Sequence, residues 1–252
     1  MRKGLFLQFK FEPIKKDYSD FSSDKLLVNA PRTPAFPVRV ANEIMARSLS
    51  FLSTADGLTL YDPCCGGGHL LTVLGFCYSK NLKNIYGSDI DIKALEYAQK
   101  NLSLLTPEGL SKKKKALQSN DEKQDEKTQL EALNSAKRLE KQLFHTRYPK
   151  KDIQCFHWDI TRKKPAHLKN VNIVMTDLPY GKMSDWQGAG AAQNNPNKQM
   201  LNNIYQTLDL NNSIVTIICN KQEKINHQKF EQVKRLKHGK RQFIFLRPLP
   251  FY

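Results

Sequence analysis

Four short apolar runs in this chain end in an aspartate, and that repetition limits its fold more than any other feature. The runs are Leu58-Thr59-Leu60-Tyr61 before Asp62, Asn84 to Ser88 before Asp89, Ile153 to Trp158 before Asp159, and Val171 to Thr176 before Asp177. Each has the length and apolar content of a strand. Apolar helical patterns follow the first run, to about residue 79, and the second, from Ile92 to about Leu105. Strands alternating with helices build a doubly wound, mostly parallel α/β sheet. Such a sheet delivers the C-terminal end of every parallel strand to one edge, where α/β folds bind ligands. One aspartate there can be a turn former or a helix cap. Four at matching positions predict a shared ligand-binding edge.

The first strand is joined to its helix by Asp62-Pro63-Cys64-Cys65-Gly66-Gly67-Gly68-His69-Leu70-Leu71. The glycines permit a sharp turn and keep side chains out of the way. The helix behind them offers free N–H groups and the positive end of its dipole. A dinucleotide-binding turn usually runs G-x-G-x-x-G and seats a pyrophosphate. Here Asp62 would repel phosphate but suits a cation. S-adenosylmethionine, with an ammonium and a sulfonium, is a ligand of that kind. Asp89 lies 27 positions after Asp62, at the end of the second strand. An acid there can accept both hydroxyls of a ribose. Asp91 is placed to cap the next helix.

Residues 5–11 suggest an edge strand, and residues 24–36, with two prolines and Arg32, a loop. After Pro37 an amphipathic helix is expected over 38–52, with Arg39 and Arg47 away from its apolar face. Residues 106–150 break the alternation. They hold a Thr106-Pro107-Glu108-Gly109 turn, the basic run Lys112 to Lys115, and a polar stretch. A helix over about 128–146 follows, with Leu130, Leu133, Ala136, Leu139, Leu143 and Phe144 on one stripe. This helical insertion is either an RNA-contacting arm or a solvated helix covering the sheet, and its mixed charges favour the second. Asp177 opens Asp177-Leu178-Pro179-Tyr180-Gly181, and the small-residue stretch from there to Pro196 suits a lid. A helix over 198–208, a buried strand over 213–219, a basic helix over 228–237 and a last strand over 242–246 complete the pattern. One domain over 1–252 is expected, with an N-terminal extension over 1–36 and the insertion over 106–150.

Forty lysines and arginines against 24 acidic residues give a net charge of +16, which favours phosphate-rich partners. Basic clusters at 112–115, 162–164 and 234–241 contribute to it and do not separate RNA from DNA. No apolar run approaches the ~20 residues of a membrane span, and the run near the N-terminus is too short for a signal peptide. The five cysteines, Cys64, Cys65, Cys77, Cys155 and Cys219, form no C-x-x-C pair. Reduced thiols, a cytoplasmic location and no zinc site are expected.

Asp-Pro-Cys-Cys-Gly-Gly-Gly after the first strand, Gly-Ser-Asp after the second and Asp-Leu-Pro-Tyr after the fourth together resemble the class I S-adenosylmethionine-dependent methyltransferases. Asp177 to Tyr180 is similar to the Asn/Asp-Pro-Pro-Tyr motif of enzymes that methylate base nitrogens. A closer resemblance, from about residue 35 onward, is to the avilamycin-resistance ribosomal RNA methyltransferase family. Asp62 to Gly66 with Leu70 to Gly75, Asn101-Leu102 with Leu104-Leu105, the charged insertion, and Thr176 to Gly181 with Trp186 carry it. The resemblance implies a Rossmann-like class I fold, S-adenosylmethionine as cofactor, and 23S ribosomal RNA or the large ribosomal subunit as partner of a monomer. It puts Asp62, Gly66 and Gly68, with Pro63 and Cys64 of the same turn, at the methionine part of the cofactor. Asp89 holds the ribose, and Asp159 faces the adenine amino group, flanked by Ile90 and Ile160. Asp177, Leu178, Pro179 and Tyr180 form the target-base site. Antibiotic resistance and a housekeeping role both remain open.

The residue types suit methyl transfer to a guanine, with N1 the expected atom. The protein must mainly align nucleophile, methyl and sulfur. A paired base has to flip out to reach them, and Tyr180 can stack on it, a contact worth about 1–3 kcal/mol elsewhere. The Asp177 carboxylate and Leu178 carbonyl can accept guanine N1–H and N2–H, with Asp177 the candidate general base. Where the related motif has a second proline, Leu178 keeps an N–H, expected to meet a carbonyl such as guanine O6. Cys64 and Cys65 belong to the cofactor turn, so no covalent catalysis is expected. Two other readings stay open. A DNA adenine or cytosine amino methyltransferase is disfavoured by the missing proline and the lack of a sequence-reading domain. A non-catalytic RNA-binding assembly factor is disfavoured by the intact Asp177 to Tyr180.

Overall fold

The computed structural model describes all residues except 1–4, 7, 23–24, 32, 34, 120–124, 145–146, 149, 180–185, 191–194 and 251–252. In chain order its elements are β1 (Leu5–Phe6), α1 (Val38–Leu49), β2 (Leu58–Asp62), α2 (His69–Cys77), β3 (Leu82–Asp89), α3 (Ile92–Ser103), α4 (Pro107–Gln118) and α5 (Glu126–Phe144). Then come β4 (Asp152–His157), β5 (Ile173–Asp177), α6 (Pro196–Tyr205), β6 (Ile214–Asn220), β7 (Phe230–His238) and β8 (Arg241–Pro248). The strands form one sheet in the order β1-β7-β8-β6-β5-β2-β3-β4. Strands β4, β3, β2, β5 and β6 run parallel, and β8 is antiparallel to both β6 and β7. The central strands β2 and β6 are apolar almost throughout and buried on both faces, as parallel strands between two helical layers must be.

After β2 the chain adds β3 and β4 on one side, then returns to add β5 and β6 on the other. The strand order therefore reverses between β2 and β5. A crevice opens at such a point beyond the carboxyl ends of the strands, and Asp62 and Asp177 stand on its two sides. Residues of α1, α2, α3, α4 and α5 join the core on one face of the sheet. Those of α6 build a second core on the other. Among the described residues no helix is long and apolar enough to cross a membrane.

Several sequence expectations change. The segment expected as a basic helix over 228–237 is the strand β7, hydrogen-bonded to β8 along its length. A register shift between Gln232 and Lys234 explains the misleading pattern. A bulge adds one residue and breaks the two-residue period. Phe230, which packs into the core on one face, and Val233 and Leu236, which pack into the core on the other, then recur every third residue, which imitates a helix.

The expected turn at 106–109 is instead the start of α4. The Thr106 hydroxyl accepts the Gly109 N–H at 3.1 Å, and Pro107 occupies the first turn. The insertion is not a projecting arm; it covers the fold, with one face buried and its charged face solvated. Leu110 and Leu117 of α4 and Ala132, Ala136, Leu139 and Leu143 of α5 are buried in the main core. Leu130 and Phe144, expected on that stripe, are exposed. Arg138 pairs with Asp20 of the N-terminal extension at 2.5 Å.

In α1, Arg47 is buried rather than solvated. Its Nε meets Glu43 Oε1 at 2.6 Å, and its Nη2 donates to the Gln8 carbonyl at 2.5 Å. Arg39 lies 3.9 Å over the Phe9 ring and donates to the carbonyls of Glu12 and Pro13. The polar side of α1 is thus the seat of residues 8–13. Among the described residues that extension adds only Leu5–Phe6 to the sheet, parallel to β7, rather than a strand over 5–11.

Candidate active site

One cavity of about 370 Å³ lies across the carboxyl ends of β2, β3, β4 and β5. It gathers Asp62, Pro63, Cys64, Gly66, Asp89, Ile90, Asp159 and Ile160 with Asp177, Leu178 and Pro179. Its volume is ordinary for a small-molecule site. Tyr180 lies outside the described residues. Gly68 does not line the cavity; it packs behind the turn, against α3. Its φ is +71°, and a Cβ there would stand 3.0 Å from the Ala98 Cα. Only glycine accepts both conditions cheaply.

Asp62 ends β2 and is almost wholly buried. Its Oδ1 accepts the Cys64 N–H at 3.0 Å. Burial, helped by the nearby Asp89 and Asp177 carboxylates, pushes its carboxyl up to about 7. Asp89 Oδ2 accepts the Gly66 N–H at 2.7 Å, and Oδ1 accepts the Asp91 N–H at 2.9 Å. It therefore clamps the glycine turn to the end of β3, and burial raises its carboxyl as well. Asp91 caps α3 through the N–H groups of Lys93 and Ala94. Burial holds both Cys64 and Cys65 thiols well above their usual range, which removes them as ready nucleophiles.

Asp159 turns Oδ1 to the Thr161 N–H at 2.8 Å and hydroxyl at 2.5 Å. Its Oδ2 accepts the Ala189 N–H at 2.9 Å. The Trp186–Gly190 stretch thus folds back over this end of the cavity. Gly188, at φ +57°, fits between Ile90 and Asp159, where a Cβ would come within 2.4 Å of Ile90 Cδ1.

At the other end, Asp177 Oδ2 lies 3.4 Å from Arg241 Nη2, with both side chains 28% exposed. The Leu178 N–H is not free for a ligand. It donates to the Ile218 carbonyl of β6 at 2.9 Å, continuing the β5–β6 ladder one residue past the strand. The expectation that this N–H meets guanine O6 is therefore withdrawn.

Sequence reasoning missed several lining residues. Phe36, Pro31 and Thr33 come from the N-terminal extension, and no local pattern marks them. The Asn101 side chain holds that extension in place. It bonds both backbone groups of Val28, at 2.9 and 2.8 Å, and the Gly67 carbonyl at 2.7 Å. Trp158 lines the cavity, and its buried indole N–H has no acceptor among the described residues. His69, at the start of α2, is buried and held neutral by that burial. Arg241, expected within the basic cluster at 234–241, instead lines the cavity. Its position follows from strand direction: β8 runs antiparallel to β6, so its first residue pairs with Asn220 at the edge where the parallel strands end.

The family model for the rRNA methyltransferase AviRa matches residues 7–241. The chain belongs to the AviRa rRNA methyltransferase family. It is 35% identical over 237 residues to the 23S rRNA (guanine(2535)-N(1))-methyltransferase of Streptomyces viridochromogenes, a match spanning 92% of each chain. Among solved structures, the AviRa rRNA methyltransferase of Streptomyces viridochromogenes superposes with a TM-score of 0.79 at 31% identity, covering 95% of this chain and 96% of that one. TrmN from Thermus thermophilus shares the fold, with a TM-score of 0.52 at 13% identity over 87% of this chain and 51% of its own. The Rossmann-like class I methyltransferase fold and an rRNA-methylating enzyme class are thereby established.

Proposed function

We propose that this AviRa-family enzyme transfers a methyl group from S-adenosylmethionine to N1 of a guanine in 23S ribosomal RNA, acting as a monomer in the cytoplasm. The observation that carries the reading is Asp177, which stands at the end of β5 in one cavity with Asp62, Asp89 and Asp159. The donor set fits the cofactor. The buried Asp62 carboxylate gains from a cationic neighbour. Asp89 keeps lone pairs for ribose hydroxyls after serving Gly66 and Asp91, and Asp159 can accept from an adenine amino group. Bound there, S-adenosylmethionine supplies an electrophilic methyl on sulfur. The chain's own work is to hold the base beside it and to remove a proton. Asp177 accepts the N1–H of a flipped guanine and takes that proton, and the Leu178 carbonyl accepts from N2. The net charge of +16 supports a nucleic-acid substrate.

Labelled-methyl transfer to large ribosomal subunits, free 23S RNA and DNA, followed by nucleoside analysis, tests the reading. N1-methylguanosine, which blocks reverse transcription, is the expected product; methyladenosine or methylated DNA overturns it. Asp177→Ala is expected to lose about 10²–10⁴ of the transfer rate and to bind cofactor within a few fold of wild type by calorimetry. Full activity in that variant removes Asp177 from the mechanism.

A further inference from the structure

Resting on the guanine reading, we propose that Arg241 is a catalytic and specificity-determining residue, whose guanidinium meets O6 of the target guanine while Asp177 takes the N1 proton. Guanine presents an acceptor, O6, beside the N1–H donor. The structure offers a matching pair: the Arg241 donor and the Asp177 acceptor stand 3.4 Å apart at the same end of the cavity. The Phe36 ring, its centroid 5.1 Å from the guanidinium carbon, also braces the arginine. Among the described residues lining the cavity Arg241 is the one lysine or arginine, against five aspartates. The Leu178 N–H, the backbone donor nearest Asp177 in sequence, is held by Ile218.

The chemistry calls for a cation there. When the N1–H bond breaks, its proton passes to Asp177 and its electron pair spreads from N1 onto O6. A guanidinium at O6 stabilises that charge as an oxyanion hole does. The N1 pair then forms the N–C bond as the methyl–sulfur bond breaks, and that bond's electrons remain on sulfur. The Asp177 proton leaves to solvent. Adenine offers the reverse edge, an amino donor at C6 and a bare N1. Arginine would face a donor and Asp177 an acceptor, and both mismatches are costly.

The test compares wild type, Arg241→Met and Arg241→Lys on 23S RNA between pH 6 and 9.5, with cofactor binding measured separately by calorimetry. Arg241→Met is expected to lower kcat about 10² at pH 7, leaving KM for RNA and cofactor affinity within a few fold. Its rate is expected to climb with pH, closing on wild type as solution hydroxide begins to ionise N1. Arg241→Lys is expected to fall between the two with a profile close to wild type. A raised KM with kcat retained makes Arg241 a phosphate contact and overturns the inference. So does an equal loss at every pH, which marks a merely structural role. Wild type that forms no methylguanine sinks the guanine reading itself, whereas active wild type with unaffected variants sinks only the role of Arg241.

Discussion

Replacing Asn101 tests how the N-terminal extension is tied to the glycine turn after β2. Its buried side chain makes three hydrogen bonds, donating to the carbonyls of Val28 and Gly67 and accepting the Val28 N–H. At about 1 kcal/mol net for each, Asn101→Ala should cost about 3 kcal/mol. For a chain of this size that lowers Tm by about 6–12 °C. Asn101→Asp keeps the shape but sets a carboxylate against two carbonyl oxygens. Ionised, it has nothing to donate, so the fold raises the carboxyl above the ordinary value of about 3.9. A raised folded value means the native state binds more protons than the unfolded one, so stability falls as pH rises from about 4 through the shifted value. The aspartate variant should therefore match or exceed the alanine variant near pH 5, where its proton can serve one carbonyl, and fall below it at pH 8. Urea titrations followed by tryptophan fluorescence at the two pH values measure this. Because Gly67 belongs to the turn, cofactor affinity should drop about tenfold, the equivalent of 1.4 kcal/mol. An alanine variant within 1 kcal/mol of wild type, or an aspartate variant with no added pH dependence, would refute the three-bond account.

Two further outcomes follow from buried carboxylates. Asp62 is held up to about 7 by burial, so in the free protein its ionisation erodes stability as pH rises from about 4 through 7. A bound sulfonium and ammonium favour the ionised form. Cofactor affinity should then increase with pH up to about 7 and level off, with proton release below that pH in calorimetry across buffers; a flat profile rejects the assignment, and Asp62→Asn should abolish the trend. Glu43 accepts from Arg47 and from the N–H groups of Lys10, Phe11 and Glu12. Glu43→Leu should cost about 3–5 kcal/mol in denaturation because it strands a buried guanidinium, and adding Arg47→Leu should recover at least about 1 kcal/mol; no recovery would mean that the backbone bonds carry the whole effect.

The parts of this molecule visible in its sequence are those encoded locally. Asp62, Asp89, Asp159 and Asp177 could be placed on one edge because each follows its own strand, and parallel topology does the rest. Asp91 was recognisable as a cap because the capping bonds reach only two and three residues along the chain. The fit of Cys65 is by contrast a tertiary matter: it fills the space beside Gly87 of β3, where a Cβ would come within 2.9 Å of its sulfur. The start of α4 was also written locally, in Thr106-Pro107-Glu108, but the charge run behind it suggested a surface turn. Glu43 and Arg47 illustrate the opposite case. On a lone helix they are a solvated i, i+4 pair, and only the arrival of residues 8–12 from elsewhere makes them a buried hub.

Arg241 shows why the remainder was illegible, and why the error had a functional cost. Its role depends on β7 and β8 forming an antiparallel hairpin, since only a strand running against β6 begins at the edge where β5 and β6 end. Reading 228–237 as a helix removed the hairpin, and with it the reason for Arg241 to be anywhere but on a basic surface. Leu178 is a separate case: it extends the β5–β6 ladder, so its N–H goes to the Ile218 carbonyl whatever lies beyond β6. The backbone donor goes to the sheet, and the guanidinium arrives beside Asp177 from the far end of the chain, braced by Phe36 of the extension. The end of the cavity lined by Asp62, Asp89 and Asp159 is thus drawn from successive strand ends. The opposite end joins Asp177 of β5 to Phe36 of the N-terminal extension and Arg241 of the C-terminal hairpin, so under the proposed function the anchors at Glu43 and Asn101, together with that hairpin, should govern whether a base is held in line for transfer.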